Sequence, residues 1–150
     1  FDSYVYGKLI RFPNNEAIFG KQQIYNEQDQ VCGTEPNLLI NATEISFDGL
    51  WELVRSYGGV MFPAHVDKTA NSLIANLGFI PPDSRFRTAE VKDLKKLHQL
   101  QKDNPYLDKC RIISNSDAHY LEHMNEPELT LQVEEKTVQG IIDALLDGAG

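Results

Sequence analysis

Asp117 and His119 stand where an apolar run gives way to a polar cluster, in the segment "CRIISNSDAHYLEHM". Residues i and i+2 of an extended segment project to the same side, so these two side chains can share one metal ion. A carboxylate with an imidazole suits Zn²⁺, Mn²⁺ or iron better than Ca²⁺ or Mg²⁺ alone. The structural alternative is that Asp117 only caps a following helix.

A second polar group follows the apolar segment in "MFPAHVDK", where His65 comes directly before Val66, Asp67 and Lys68. Placing an imidazole at the end of a buried segment is costly without a partner. A core histidine bonded to a backbone carbonyl is the structural alternative. Lys68 is a candidate to bind a substrate phosphate, with simple solvation as its alternative. Two such segment ends together favour a metal site.

The elements that must position these residues alternate between helix and strand from Ser46 onward. Ser46 and Thr137 precede helical patterns as N-caps do. Helices are predicted over "FDGLWELVRSYGG", "DLKKLHQLQKDN" and "TVQGIIDALLDG", with a turn at 72–77. Strands are predicted over "VMFPAHV", "FRTAEVK", "CRIIS" and "LTLQV". This order predicts an α/β fold with a largely parallel sheet, whose carboxyl-terminal strand ends gather the chemistry.

The chain, residues 1–150, is predicted to form a single domain. Residues 1–36 are expected to hold a short helix, ended by Pro13, and a hairpin-like excursion in "QQIYNEQDQVCGTEP". Residues 37–150 are expected to hold the βα units.

The composition narrows the classes of partner. The net charge is −8, which disfavours non-specific nucleic-acid binding because such binding depends on clustered Lys and Arg. No run of 18 apolar residues occurs, so no membrane partner is expected. Cys32 and Cys110 follow no metal-binding spacing, and they are interpreted as two reduced thiols of a cytoplasmic protein.

The segments "GGVMFPAHVDK" and "IISNSDAH" together resemble the third and fourth motifs of the PHP (polymerase and histidinol phosphatase) superfamily of metal-dependent phosphoesterases. The resemblance covers about Leu38 to the C-terminus. It implies the C-terminal portion of a distorted (β/α)₇, TIM-like barrel with a multinuclear site at the strand ends. It implies His65, Asp117 and His119 as ligands of divalent Zn, Mn or Fe ions, with no catalytic residue beyond them.

Three further residues are interpreted as supporting the site without coordinating metal: Asp67, Glu90 and His123. His123 has a solvated loop position as its alternative. Glu90 ends "FRTAE", and a supporting role is favoured over coordination.

This chain departs from the family pattern because it lacks the opening H-x-H motif, the D-H pair and the ligand glutamate. It also begins at Phe1 rather than Met. The sequence therefore predicts a truncated phosphoesterase with incompletely bound metals and little activity, although the parent would be an enzyme. Expected substrates of the parent are small phosphorylated molecules or nucleotides.

Self-association through exposed sheet edges is expected for such a fragment. The competing function is a non-catalytic PHP-like module that binds a partner or regulates one. A third interpretation is an accessory PHP domain attached to a polymerase.

Overall fold

The computed structural model describes residues 1–127 and 129–148, and the chain falls into two compact units, Phe1–Leu50 and Trp51–Gly150. The N-terminal unit holds helices α1 (Asp2–Gly7) and α2 (Glu16–Phe19) and strands β1 (Gln23–Tyr25) and β2 (Val31–Thr34). β1 and β2 pair antiparallel. The predicted N-terminal helix and hairpin are therefore confirmed.

The remaining helices and strands lie in the second unit, except for the start of one helix. Helix α3 (Phe47–Ser56) begins in the N-terminal unit, and the Ser46 hydroxyl accepts a hydrogen bond from Gly49 as an N-cap does. The elements that follow are α4 (Leu73–Leu77), β3 (Thr88–Glu90), α5 (Leu97–Asp103), β4 (Arg111–Ile113) and α6 (Val138–Asp147). Short 3₁₀ turns cover Leu94–Lys96, Pro105–Lys109 and Leu121–His123.

Strands β3 and β4 pair in parallel, with Ala89 opposite Ile112. The chain between them carries α5, as a parallel connection requires. All three residues of β3 are buried, although the alternation in "FRTAEVK" is typical of a strand with one solvated face. The largest fully buried side chains of the described residues all lie in this unit: Phe86, Leu107, Val66, Val91 and Thr88.

The prediction of a strand over "VMFPAHV" is wrong, since residues 60–66 form no regular strand. The segment nevertheless lies along β3: Glu90 N–H donates to the Pro63 carbonyl at 3.0 Å, and Val66 N–H donates to the Glu90 carbonyl at 2.9 Å. A regular parallel ladder would place these two partners two residues apart. One extra residue therefore bulges out. Pro63 also lacks the N–H that would extend the ladder.

The strand predicted over "LTLQV" is also wrong, since residues 129–133 are irregular. A cavity of about 290 Å³ is lined both by Ile112 and Ile113 of β4 and by Leu129 and Leu131. The alternating residues Leu129 and Leu131 thus line the same cavity as β4, although the backbone of this segment does not pair with the strand.

Helix α6 is fixed to the sheet by its C-terminal carbonyls. The Thr88 hydroxyl donates to the Leu145 carbonyl at 2.6 Å, and Arg111 Nε donates to the Ala144 carbonyl at 2.9 Å. The predicted N-cap is confirmed, because the Thr137 hydroxyl accepts from Gly140 N–H. Gly148 ends the helix with φ 79°, a conformation that glycine adopts without a steric cost.

The architecture is mixed α/β, with two small sheets of two strands each. The described residues form no closed barrel. None of the helices within them combines the length and apolar character that a membrane crossing requires.

Candidate metal centre

The predicted ligands follow two neighbouring segments at the same end of the β3–β4 sheet. His65 lies in the bulge between Pro63 and Val66, which bond to β3 on either side of it. Asp117 and His119 come after β4, which ends at Ile113. Because 63–66 and β4 both run parallel to β3, their carboxyl ends lie at the same edge. The sequence interpretation had expected this placement.

His65 and Asp117 both adopt left-handed backbone conformations, with φ 32° and φ 51°. Among non-glycine residues of the described chain, only Asp29 and Asn71 share a positive φ. Such conformations are uncommon for residues with a Cβ and tend to occur at binding and active sites. Two of the three predicted ligands are thus also distinguished by their backbone conformation.

Asp117 is paired with Lys68. The Lys68 ammonium lies 2.5 Å from Asp117 Oδ2, in a hydrogen-bonded ion pair that joins residues 49 apart in sequence. This hydrogen bond is the main cause that lowers the pKa of Asp117. Burial opposes it, and electrostatic interactions with Lys68, His65 and His119 lower the pKa further. Asp117 is therefore a carboxylate at neutral pH.

The two candidate histidines differ in their ring contacts. His119 Nδ1 lies 3.0 Å from the Asp117 carbonyl oxygen. Since a carbonyl only accepts, the bond forms in the tautomer that protonates Nδ1 and leaves Nε2 as the coordinating nitrogen. A backbone carbonyl on the far ring nitrogen is a frequent partner of metal-bound histidine. The Nδ1 of His65 is buried and has no hydrogen-bond partner among the described residues.

Asp67 holds the His65 loop against the sheet. Its two carboxylate oxygens accept the backbone N–H groups of Lys92 at 2.8 Å and Asp93 at 2.9 Å. Burial is the largest single influence and raises the pKa of Asp67. The backbone N–H groups of Lys92, Asp93 and Asp67, together with the charge of Lys96, outweigh burial, so the net pKa is lowered. With both oxygens bonded to backbone, Asp67 positions the loop, which agrees with a supporting role.

Glu90 ends β3 with its side chain 9% exposed. Its Oε2 accepts a hydrogen bond from Asn115 Nδ2 at 3.1 Å. Asn115 lies between β4 and Asp117, so this bond ties the Asp117 loop to the central strand. Sequence reasoning had not singled out Asn115, although its place two residues after a strand and two before Asp117 was a usable signal.

His123 lies in the 3₁₀ turn Leu121–His123 and is exposed. Its ring packs edge-on against Tyr120, with centroids 5.4 Å apart. Within the described part of the chain, the ring of His123 contacts its near neighbour Tyr120. A link from His123 to the candidate ligands stays a prediction.

The donor set fits a divalent transition metal in kind, because two imidazoles and one carboxylate match the ligands of such ions. The unpartnered His65 Nδ1 and the carbonyl-bonded ring of His119 are consistent with it. Within residues 1–127 and 129–148, however, no group of three His, Cys, Asp or Glu side chains is arranged as a preformed metal site. Coordination would require side-chain movement, including that of Lys68.

Comparisons with protein-family models, with curated protein sequences and with solved structures found no match to this chain.

Proposed function

We propose that this chain is the C-terminal part of a metal-dependent phosphoesterase of the PHP type. In this proposal His65, Asp117 and His119 hold a divalent Zn, Mn or Fe ion. The observation that carries it is the left-handed backbone at both His65 and Asp117, at one edge of the sheet. A non-glycine residue in such a conformation costs about 1–3 kcal/mol and persists where the surroundings enforce it.

In this proposal some residues of the chain coordinate the ion, and others hold the loops that carry those ligands. Asp117 supplies an ionised carboxylate, and His119 supplies Nε2 when its Nδ1 is bonded to the Asp117 carbonyl. Asp67 and Glu90 hold the two ligand loops to β3 and to the residues just after it. When bound, a divalent ion supplies an activated water at neutral pH and neutralises phosphate charge.

The substrate class follows from the same chemistry and from the charge of the chain. Lys68 is the cation nearest the candidate ligands by its contact with Asp117, and it is the residue we assign to a substrate phosphate. The net charge of −8 favours a small phosphorylated molecule or nucleotide over long nucleic acid. We place the reaction in the cytoplasm, where thiols such as Cys32 and Cys110 stay reduced.

The competing function is a non-catalytic binding or regulatory module, and one observation favours it. The Lys68–Asp117 ion pair neutralises the carboxylate without any metal ion. In that case the positive φ values would serve loop packing alone.

Hydrolysis by the gene product that contains these residues separates the two functions. With Mn²⁺ or Zn²⁺, we expect it to release p-nitrophenol from p-nitrophenyl phosphate or its bis ester, and D117N to abolish turnover. Asn keeps the shape of Asp and tolerates a positive φ, so the fold should survive. The exposed His98 provides the control, since H98A should hydrolyse normally. Turnover in D117N equal to that of the parent would contradict the proposal.

A further inference from the structure

The Lys68 ammonium is hydrogen-bonded to Oδ2, one of the two oxygens of the Asp117 carboxylate that the proposed site needs for its metal. The Nζ–Oδ2 distance of 2.5 Å leaves no room between the two groups for another cation. Their side chains are 37% and 21% exposed, so the pair is partly shielded from water. Solvent screening is weaker for a partly buried pair than for a surface pair.

The loop around Lys68 is anchored in a way that keeps the ammonium at this place. The Lys68 N–H donates to the His65 carbonyl at 3.0 Å. The Ser72 hydroxyl donates to the Lys68 carbonyl at 2.7 Å and also accepts from Ala75 N–H, capping α4. Ser72 is almost fully buried. The backbone of Lys68 is thus held from both sides, and only its flexible side chain is free to move.

We propose that Lys68 is an internal counter-cation that competes with the divalent metal for Asp117 and swings away when the metal binds. This inference rests on the proposed metal site. A divalent cation and an ammonium group repel each other at short range. Each therefore weakens the binding of the other to the Asp117 carboxylate. The four-carbon side chain of lysine lets its charge move while its anchored backbone does not.

The consequence is an order of binding. Without metal, Lys68 is held by Asp117 and is not available to a phosphate. Once the metal displaces it, the ammonium remains beside the site on its anchored loop. Lys68 can then bind a substrate phosphate only in the metal-loaded protein. Metal binding both completes the site and releases the Lys68 ammonium from Asp117.

The test is calorimetric titration of Mn²⁺ and Zn²⁺ into four versions of this chain: wild type, K68M, K68R and K95M. K68M should bind metal about tenfold more tightly than wild type, because the competitor is gone. K68R keeps the charge and should bind no more tightly than wild type. K95M removes an equal charge from an exposed position, and should change the affinity by less than about twofold. Far-ultraviolet circular dichroism checks the fold of each variant.

A second measurement follows Lys68 itself. In the wild type, Zn²⁺ should shift the ¹³Cε and ¹⁵Nζ resonances of Lys68 towards their positions in D117N without metal. In K68M/D117N the affinity gain of K68M should disappear.

The possible outcomes distinguish failure of the proposed Lys68 competition from failure of the proposed metal site. Equal metal affinity of K68M and wild type would overturn the competition while leaving the metal site standing. Absence of binding in both would overturn the competition together with the proposed site. Binding by K68M alone would support the competition in its strongest form.

Discussion

Asp67 bonds the His65 loop to the residues that follow β3. It accepts two backbone N–H groups beyond the end of β3, those of Lys92 and Asp93, from a partly buried position. Hydrogen bonds to a charged group contribute more to stability than neutral ones, and removing the acceptor leaves both donors unpaired.

We therefore expect D67A to lower the free energy of unfolding by about 2 kcal/mol, as measured by urea denaturation. The exposed Asp83 offers a matched control, and D83A should change stability by less than about 0.5 kcal/mol. Because the pKa of Asp67 is lowered in the folded chain, its contribution is complete above the unfolded pKa and is lost as the pH falls through the folded pKa. A D67A variant as stable as D83A would show that the loop is held by other contacts.

Cys110 differs sharply from Cys32 in its surroundings. Burial raises the pKa of the Cys110 thiol to about 11, whereas Cys32 lies exposed in the hairpin. At pH 8 the folded chain should therefore react with a thiol reagent at one cysteine, Cys32, and C32S should be almost unreactive. Rapid labelling of folded C32S would contradict the buried position of Cys110.

The same burial links Cys110 to alkaline stability. The folded state retains its proton where the unfolded thiol has already lost it, so stability falls as the pH rises from about 9 to about 11. Urea unfolding across this range should show the decline, and it should be smaller in C110A after allowing for the cavity that this variant creates.

At the scale of elements, α6 is held to the sheet by side chains that reach its last carbonyls. Thr88 is fully buried, and its hydroxyl donates a hydrogen bond to the Leu145 carbonyl. This carbonyl is one of the last four of the helix, which lack an intrahelical partner. T88V keeps the volume but removes the donor. We expect it to destabilise the chain by about 1–2 kcal/mol in thermal or urea unfolding. The exposed Thr130 gives the control T130V, and equal stability of the two variants would disprove the role of this bond.

Local signals explain which elements could be predicted from the sequence. The predicted caps Ser46 and Thr137 each act within three residues of themselves, and both are confirmed. Ser72 also caps its helix, where the sequence had indicated only a turn. The segments 60–66 and 129–133 were not predicted correctly, because forming a strand depends on distant partners. Pro63 and the bulge between Pro63 and Val66 interrupt the first segment, and the second segment does not pair with β4.

In the candidate site as well, local features could be predicted from the sequence and long-range contacts could not. The residue types and the strand ends pointed to His65, Asp117 and His119. The contact of Lys68 with Asp117 and that of Asn115 with Glu90 join residues 49 and 25 apart. No periodicity or spacing encodes such pairs, because they arise only when the sheet brings the loops together.

At the scale of the whole molecule, the hairpin leaves large apolar side chains in solvent. Ile24, Tyr25 and Val31 are each about half exposed, and β1 and β2 form a sheet of only two strands. Short sheets with open edges pair readily with other chains.

We expect this chain to self-associate in a concentration-dependent manner, measurable by sedimentation velocity. I24K should shift the distribution towards monomer, since a charge on the edge opposes pairing. A control change, L77K, places the same charge on another exposed apolar residue in α4 and should have a smaller effect. A wild type that stays monomeric at all concentrations would contradict this expectation.

The central claim is that His65, Asp117 and His119 hold one divalent ion, and Co²⁺ titration of this chain tests it most directly. Co²⁺ bound to nitrogen and oxygen ligands gives visible absorption bands that report its coordination. We predict these bands for the wild type and for H98A. We predict at least about tenfold weaker binding for H65N, D117N and H119A, because each loses one ligand. Bands of equal strength and affinity in D117N and in H98A would contradict the account.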